Sequence, residues 1–182
     1  ADFGVVPVEN SSEGAINRTL DLMLATTTVI SGEVAIAVHH SLMTNTGNMD
    51  GVAVVCAHSQ ALAQCQVYLN QHYPHLERRA VASNAEAAVM ASKDPSIAAI
   101  ASEMAGQQYG LAVVAGHIQD DPHNRTRFAV IGQLHTNPSG QDQTSLVLAV
   151  PNKAGAVYNL LAPLATHGVS MTRFESRPAR IG

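Results

Sequence analysis

The chain has 182 residues, of which 46% are hydrophobic and 13% are charged, so it carries enough apolar material for a buried core and is not a disordered tail. Its formal charge of -4, from 10 basic and 14 acidic residues, offers no basic surface to the backbone of a nucleic acid. No apolar run approaches the roughly 18 to 20 residues that span a bilayer, and the first residues lack the layout of a secretory signal. We therefore expect a cytoplasmic protein that binds neither nucleic acid nor membrane.

The cysteines and histidines do not form a metal-binding pattern. Cys56 and Cys65 are too few and wrongly spaced for a zinc site or a disulfide framework. No His-Glu-x-x-His motif occurs, and the adjacent His39 and His40 would point to opposite faces of a strand. We predict no metal site.

The first predicted elements, in chain order, are a strand at residues 4–8, a polar loop at 9–14 and a helix at 15–24. A β-branched stretch follows at 27–39. It is long enough to form two strands, or one strand that crosses between two lobes.

From residue 52 the pattern alternates between strands and helices. Strands are predicted at 52–56, 79–82, 97–101, 111–115 and 128–132, and helices at 59–73, 84–92 and 103–109. This alternation indicates a parallel sheet with helices on both faces.

A segment rich in Asn, Pro, Ser and Gly at 133–143 is the best candidate for a linker. Beyond it, a strand at 144–150, a helix at 154–167 and a strand at 169–175 would make one β-α-β unit. A lone unit of this kind leaves a sheet edge uncovered, so we expect it to be part of a larger domain.

Several local strings resemble those of the prephenate dehydratase family, whose members convert prephenate to phenylpyruvate in phenylalanine biosynthesis. The strings in the first part of the chain are Val6-Pro7-Val8-Glu9-Asn10-Ser11, the stretch from Gln60 to Cys65 after His58, Ala98-Ala99-Ile100-Ala101-Ser102-Glu103, and Asn124-Arg125-Thr126-Arg127-Phe128. After the linker, Gly155-Ala156-Val157 and Glu175-Ser176-Arg177-Pro178 resemble the phenylalanine-sensing signatures of the ACT domain that follows the catalytic domain in this family.

The resemblance implies an α/β fold with two lobes, similar to periplasmic binding proteins, and an active site in the cleft between them. Residues 1–133 would form the catalytic domain, with one lobe from 1–34 and 112–133 and the other from 35–111. Residues 134–143 would be the linker and 144–182 a partial ACT module of the ferredoxin-like βαβ type. Because family members begin upstream of this start with a Gly-Pro-x-Gly loop, the first lobe is expected to be incomplete.

The family motifs assign catalysis to Thr126, Glu9, Asn10 and Gln64. We expect the Thr126 hydroxyl to donate a hydrogen bond to the departing ring hydroxyl, and Glu9 to orient a neighbour or to act as an acid if burial raises its pKa. No cofactor is needed, because aromatisation drives the loss of water and carbon dioxide.

Substrate contacts are expected from a second group of residues around the same motifs: Ser11, Ser12, Arg125, Arg127 and Phe128. Ser11 or Ser12 could also cap the following helix. The two arginines could bind a carboxylate or pair with nearby aspartates.

Phenylalanine, as allosteric effector, would be enclosed across a dimer by Gly155, Ala156 and Val157 together with Glu175, Ser176, Arg177 and Pro178. A homodimer or homotetramer is implied. The sequence departs from the family pattern at Ala57 and Ser59, where serine and proline are usual, and at Val157, where leucine is usual. In bifunctional members a chorismate mutase domain comes first, and the sequence leaves open whether one precedes this chain.

Two other classes of function compete with this assignment. A two-lobed α/β cleft also suits a non-catalytic protein that binds amino acids or carboxylates. A serine hydrolase is disfavoured because no Gly-x-Ser-x-Gly motif occurs.

Overall fold

Two β-sheets organise the first 136 residues of the chain. The computed structural model describes residues 2–177, and the chain divides into the units Ala1–Thr136 and Asn137–Gly182. The strands of the first unit are β1 (Phe3–Asn10), β2 (Gly14–Ala15), β3 (Val29–Ala37), β4 (Ser41–Thr44), β5 (Val54–His58), β6 (Glu77–Val81), β7 (Ile97–Ala101), β8 (Ala112–Ala115) and β9 (Arg125–Gly132). Its helices are α1 (Asn17–Met23), α2 (Ser59–Gln64), α3 (Gln66–His72), α4 (Asn84–Lys93) and α5 (Glu103–Tyr109).

The first sheet has the strand order β2-β1-β9-β3, and all of its pairs are antiparallel. β9 returns from the second lobe and inserts between β1 and β3. Its first residues therefore lie beside the last residues of β1, with Thr126 opposite both Asn10 and Ile36. A register shift between Pro7 and Glu9 sets which side chains of β1 share a face near this end.

The second sheet has the order β6-β5-β7-β4-β8. β5 pairs in parallel with β6 and β7, whereas β4 pairs antiparallel with β7 and β8. Since β5 and β6 are parallel, the turns that lead from them into α2 and α4 meet at one edge of the sheet, where ligands bind in open α/β sheets.

The core lies on the two faces of the second sheet. All five residues of β7 are buried, and the alternating side chains of the central strands divide into two clusters. Small side chains let helices approach closely: Ala87, Ala88 and Ala91 of α4 are fully buried, and Gly106 of α5 leaves room for the Met43 sulfur, which a Cβ would meet.

The sequence predicts a parallel sheet, whereas the first sheet is antiparallel and the second is mixed. β4 was not predicted, and it provides the antiparallel partner for both β7 and β8. β8 therefore belongs to the second sheet, although residues 112–133 were assigned to the first lobe. β3 stays in the first sheet to Ala37, three residues beyond the predicted boundary at 34. The predicted helix 59–73 is interrupted at Cys65, whose φ of -117° and ψ of 18° are not helical.

The second unit contains one described helix, α6 (Ala156–Thr166), within the predicted range. The predicted strands 144–150 and 169–175 are wrong, because in these stretches the described backbone is irregular. A strand needs hydrogen-bonded partners, and the apolar side chains of Leu146, Val147 and Leu148 remain 52–68% exposed. Among residues 2–177, no helix has both the length and the apolar character to cross a membrane.

Candidate active site

A cleft of about 680 Å³ opens between the two sheets of the first unit. One wall carries Asn10 and Thr126, from the adjoining ends of β1 and β9. The opposite wall belongs to the second lobe. It includes His58 at the end of β5, Gln64 at the end of α2 and Asn84 at the start of α4. The sequence motifs around Asn10, Gln64 and Thr126 therefore contribute to one cavity.

Asn10 and Thr126 form a hydrogen-bonded pair across the first sheet. The Asn10 Nδ2 donates to Thr126 Oγ1 over 3.0 Å, and the Asn10 Oδ1 accepts from the Ser12 backbone N–H, also over 3.0 Å. Asn10 is 8% exposed, so both ends of its amide are fixed in a buried position. Because Thr126 Oγ1 accepts from Asn10, the hydroxyl keeps its own proton for donation to another group.

Glu9 and Arg127 lie on the opposite face of the same strands. Successive side chains of a strand alternate in direction, so this neighbouring pair points away from Asn10 and Thr126. Arg127 Nε donates to Glu9 Oε2 over 3.0 Å, and its Nη1 donates to Glu33 Oε2 over 2.7 Å. The structure thus does not bring Glu9 or Arg127 into the cleft. Glu9 and Arg127 instead form a half-buried ion-pair group with Glu33 on the face of the first sheet that points away from the cleft.

Ser11, Ser12 and Arg125 hold the turn after β1 against the start of β9. The backbone N–H of Arg125 donates to Ser11 Oγ over 2.9 Å, and the Ser11 N–H donates to the Arg125 carbonyl over 2.9 Å. Neither serine caps α1, whose N-cap is Ile16 without a side-chain bond. Phe128 lies on the same face of β9 as Thr126, two residues further on, and does not line the cleft. These four predicted substrate contacts lie outside the cavity lining.

On the second-lobe wall, Gln64 is paired with a histidine that the sequence analysis did not select as a site residue. His40 Nε2 lies 2.8 Å from Gln64 Oε1, and His40 is 6% exposed. His40 lies in the crossing between β3 and β4, which belong to different sheets, so its placement depends on the long-range partners of both strands. The one sequence signal for His40 is that it is a polar residue directly after the β-branched stretch 27–39.

The turns after β5 and β6 contribute further polar groups to this wall. His58 Nδ1 accepts from the Gln60 N–H over 3.3 Å at the start of α2, and Asn84 Oδ1 accepts from the His58 N–H over 2.8 Å. Ser83 caps α4 by accepting from the Glu86 N–H over 3.0 Å. With its carbonyl oxygen engaged, Asn84 keeps its NH₂ group available for a ligand at the N-terminus of a ten-residue helix.

The two thiols near the cleft are not suited to act as nucleophiles. Burial raises the pKa of Cys65 to about 12, with the nearby Asp120 carboxylate adding to the effect. Burial also raises the pKa of Cys56. Both thiols therefore stay protonated at neutral pH and act as small apolar groups of the core. Ala57, beside Cys56 in β5, is fully buried as well.

Within the described part of the chain, residues 2–177, no group of three or more His, Cys, Asp or Glu side chains is placed to hold a metal ion.

The residues predicted to bind phenylalanine belong to the second unit. Gly155, with a φ of +79°, forms the N-cap of α6, and Ala156 and Val157 are the first residues of that helix. Glu175 Oε2 pairs with Arg173 Nη2 over 3.2 Å. Ser176 and Arg177 have irregular backbone, and Pro178 lies outside the described residues.

Two α/β lobes around a polar cleft define a two-lobed fold of the periplasmic-binding-protein type, in which the ligand lies between the lobes. The family model described as "Prephenate dehydratase" matches residues 1–136. The chain belongs to the prephenate dehydratase family.

The relatives include two bifunctional chorismate mutase/prephenate dehydratases. The one from Neisseria gonorrhoeae is 51% identical, and the match covers 99% of this chain and 51% of the relative. The one from Stutzerimonas stutzeri is 47% identical, and the match covers 100% of this chain and 50% of the relative. The chain thus spans about half the length of the curated relatives it matches. Among solved structures, a prephenate dehydratase from Arthrobacter aurescens in complex with L-Phe has a TM-score of 0.82 at 29% identity, covering 98% of this chain and 61% of that one.

Proposed function

We propose that this chain carries the catalytic cleft of a prephenate dehydratase, a carbon–oxygen lyase that converts prephenate to phenylpyruvate. The observation that carries the proposal is the Asn10–Thr126 pair, which supplies an oriented hydroxyl to a cleft in the part of the chain that matches the family.

The reaction breaks two bonds of the substrate ring. The electron pair of the bond to the departing carboxylate forms a ring double bond as carbon dioxide leaves, and the ring hydroxyl departs with a proton as water. Thr126 Oγ–H donates a hydrogen bond to that hydroxyl and stabilises the negative charge that develops on it. A threonine hydroxyl is too weak an acid to lose its own proton at neutral pH, so the proton that completes the water comes ultimately from solvent.

Neutral donors on the second-lobe wall bind the substrate carboxylate that is retained in the product. The amide oxygen of Gln64 contacts His40, and the amide oxygen of Asn84 accepts from the His58 N–H. The NH₂ groups of both amides are therefore left for the ligand. The N-terminus of α4 adds the positive end of a helix dipole beside Asn84. Donors that hold the retained carboxylate without stabilising the departing one favour the transition state.

Phenylalanine regulation is a second part of the proposal. The Arthrobacter aurescens relative was solved with L-Phe, and the second unit of this chain carries two stretches, Gly155–Val157 and from Glu175 onward, that resemble the phenylalanine-sensing signatures of the family. The second unit then serves as part of an ACT domain in a cytoplasmic homodimer or homotetramer. Phenylalanine binding there changes activity through a coupling free energy of typically about 1 to 3 kcal/mol.

The test is to mix prephenate with the complete polypeptide at neutral pH and to follow phenylpyruvate, with and without phenylalanine. Product formation that phenylalanine suppresses supports both parts of the proposal. Saturable binding of prephenate without product would overturn it, and would favour the non-catalytic carboxylate-binding protein considered from the sequence.

A further inference from the structure

His40 is a buried imidazole in the cleft wall with only one of its two ring nitrogens in use. It lies between β3 and β4 and is 6% exposed, and its Nε2 is 2.8 Å from Gln64 Oε1. Its Nδ1 is also buried and has no hydrogen-bond partner among residues 2–177. Buried polar nitrogens of this kind are rare in folded proteins, so the residue needs an explanation.

The partner atom determines which ring nitrogen donates in this contact. An amide oxygen can only accept a hydrogen bond, so His40 Nε2 carries a proton. The same bond determines the orientation of the Gln64 amide. With its oxygen bound to His40, the NH₂ group of Gln64 is the end left for a ligand.

The backbones of both residues are fixed by one short segment. The His40 N–H donates to Gln119 Oε1 over 3.0 Å, and its carbonyl accepts from the Ile118 N–H over 2.9 Å. The Asp120 N–H donates to the Gln64 carbonyl over 2.7 Å. Segment 118–120 therefore holds the backbone before β4 next to the end of α2. This places the side chains of His40 and Gln64 within hydrogen-bond distance of each other.

We propose that His40 is a positioning residue: its Nε2–H holds the Gln64 amide so that the NH₂ group presents donors to a carboxylate of the ligand in the cleft. The inference rests on the proposed function, since it names how one substrate carboxylate is recognised. Without His40 the Gln64 amide is free to turn its oxygen toward that carboxylate, where the two partial negative charges repel.

The experiment compares two variants of His40 in the complete polypeptide. His40→Leu removes the donor and keeps an apolar side chain, whereas His40→Gln keeps an N–H group near the position of Nε2. We expect His40→Leu to raise KM for prephenate about 10-fold, the size of one lost hydrogen bond to a charged group, with kcat changed less than about 3-fold. We expect His40→Gln to restore most of the loss.

A double-mutant cycle with Gln64→Met tests whether the two residues act together. If His40 acts through Gln64, His40→Leu adds less than about 2-fold to KM in the Gln64→Met background. The proposal is overturned if the two substitutions raise KM independently, so that their effects multiply in the double variant. It is also overturned if His40→Gln raises KM as much as His40→Leu, because that result is expected of a purely structural residue.

One readout does not depend on catalysis. The ¹⁵N resonances of the His40 ring should show a protonated Nε2, and this resonance should shift in Gln64→Met. An unprotonated Nε2 overturns the proposal even if the wild-type protein makes phenylpyruvate. Absence of product with a protonated Nε2 instead overturns the proposed function alone.

Discussion

Asn10 and Thr126 are direct cross-strand partners, and one position along the same strands Glu9 and Arg127 are partners as well. The first pair lines the cleft, and the second lies on the other face of the sheet, where it forms ion pairs with Glu33 as the third member. Two consecutive cross-strand pairs thus have different roles. The Asn10–Thr126 pair faces the cleft, and the charged Glu9–Arg127 pair links the strands on the opposite face.

The hydroxyl of Thr126 is expected to be needed for turnover. Thr126→Val keeps the β-branched shape in β9 and removes the hydroxyl, whereas Thr126→Ser keeps the hydroxyl. In the complete polypeptide we expect kcat to fall about 10²- to 10⁴-fold for Thr126→Val, and much less for Thr126→Ser. The free energy of unfolding should change by only about 1 kcal/mol in either variant. Steady-state kinetics and urea titration check this, and a Thr126→Val enzyme with wild-type kcat removes the hydroxyl from the mechanism.

The direction of the Asn10–Thr126 hydrogen bond provides a second test. Asn10→Asp has nearly the same shape and keeps the acceptor for the Ser12 N–H, but replaces the donor that faces Thr126 Oγ1 with an acceptor. The hydroxyl then donates to the new carboxylate and no longer to the ligand. We expect kcat to fall by at least about 10²-fold, with little added loss when Thr126→Val is combined with it. Full additivity of the two substitutions contradicts this reading of the bond.

Members of the three family motifs line one cleft, but the orientation of its strands was not predicted from the sequence. Residues from the three motifs around Asn10, Gln64 and Thr126 do meet in one cavity, because the motifs end strands or begin helices at the facing edges of two sheets. Glu9 and Arg127 were misplaced because the first strand was predicted to end at residue 8 and the strand at 128–132 to begin after Thr126, so the alternation of side chains was not applied to the residues that β1 and β9 add. Apolar runs alone also do not distinguish parallel from antiparallel pairing, so the direction of the first sheet was missed.

The predicted strands after residue 143 failed for a related reason. A run such as Leu146–Val150 has the composition of a strand, but a strand exists only where other backbone supplies hydrogen bonds. His40 was missed because its partner Gln64 is 24 positions away, and only the crossing of β3 into the second lobe brings them together. Local composition predicts which residues are able to pair, and long-range topology determines whether they do.

The Glu9–Arg127 pair is expected to contribute to stability and little to catalysis. Both side chains are 31% exposed, so the solvent weakens the attraction and each ion pair is worth about 1 kcal/mol or less. Glu9→Gln keeps the shape of the side chain and removes its charge. We expect kcat/KM within about 3-fold of the wild type and a decrease of about 0.5 to 1 kcal/mol in the free energy of unfolding. Loss of turnover by 10²-fold or more in this variant would return Glu9 to the role of acid.

The buried thiol of Cys65 should make stability fall at alkaline pH. Burial raises its pKa from 9.0 to about 12 in the folded chain, so the folded protein keeps a proton that the unfolded chain releases. The contribution is therefore complete below pH 9 and is lost as the pH rises from 9 toward 12, at about 1.4 kcal/mol for each pH unit. Cys65→Ala removes the titrating group and serves as the matched control. Urea unfolding from pH 7 to 10 should show the wild type losing stability relative to Cys65→Ala only above pH 9, and parallel curves over the whole range would show that the thiol ionises equally in both states.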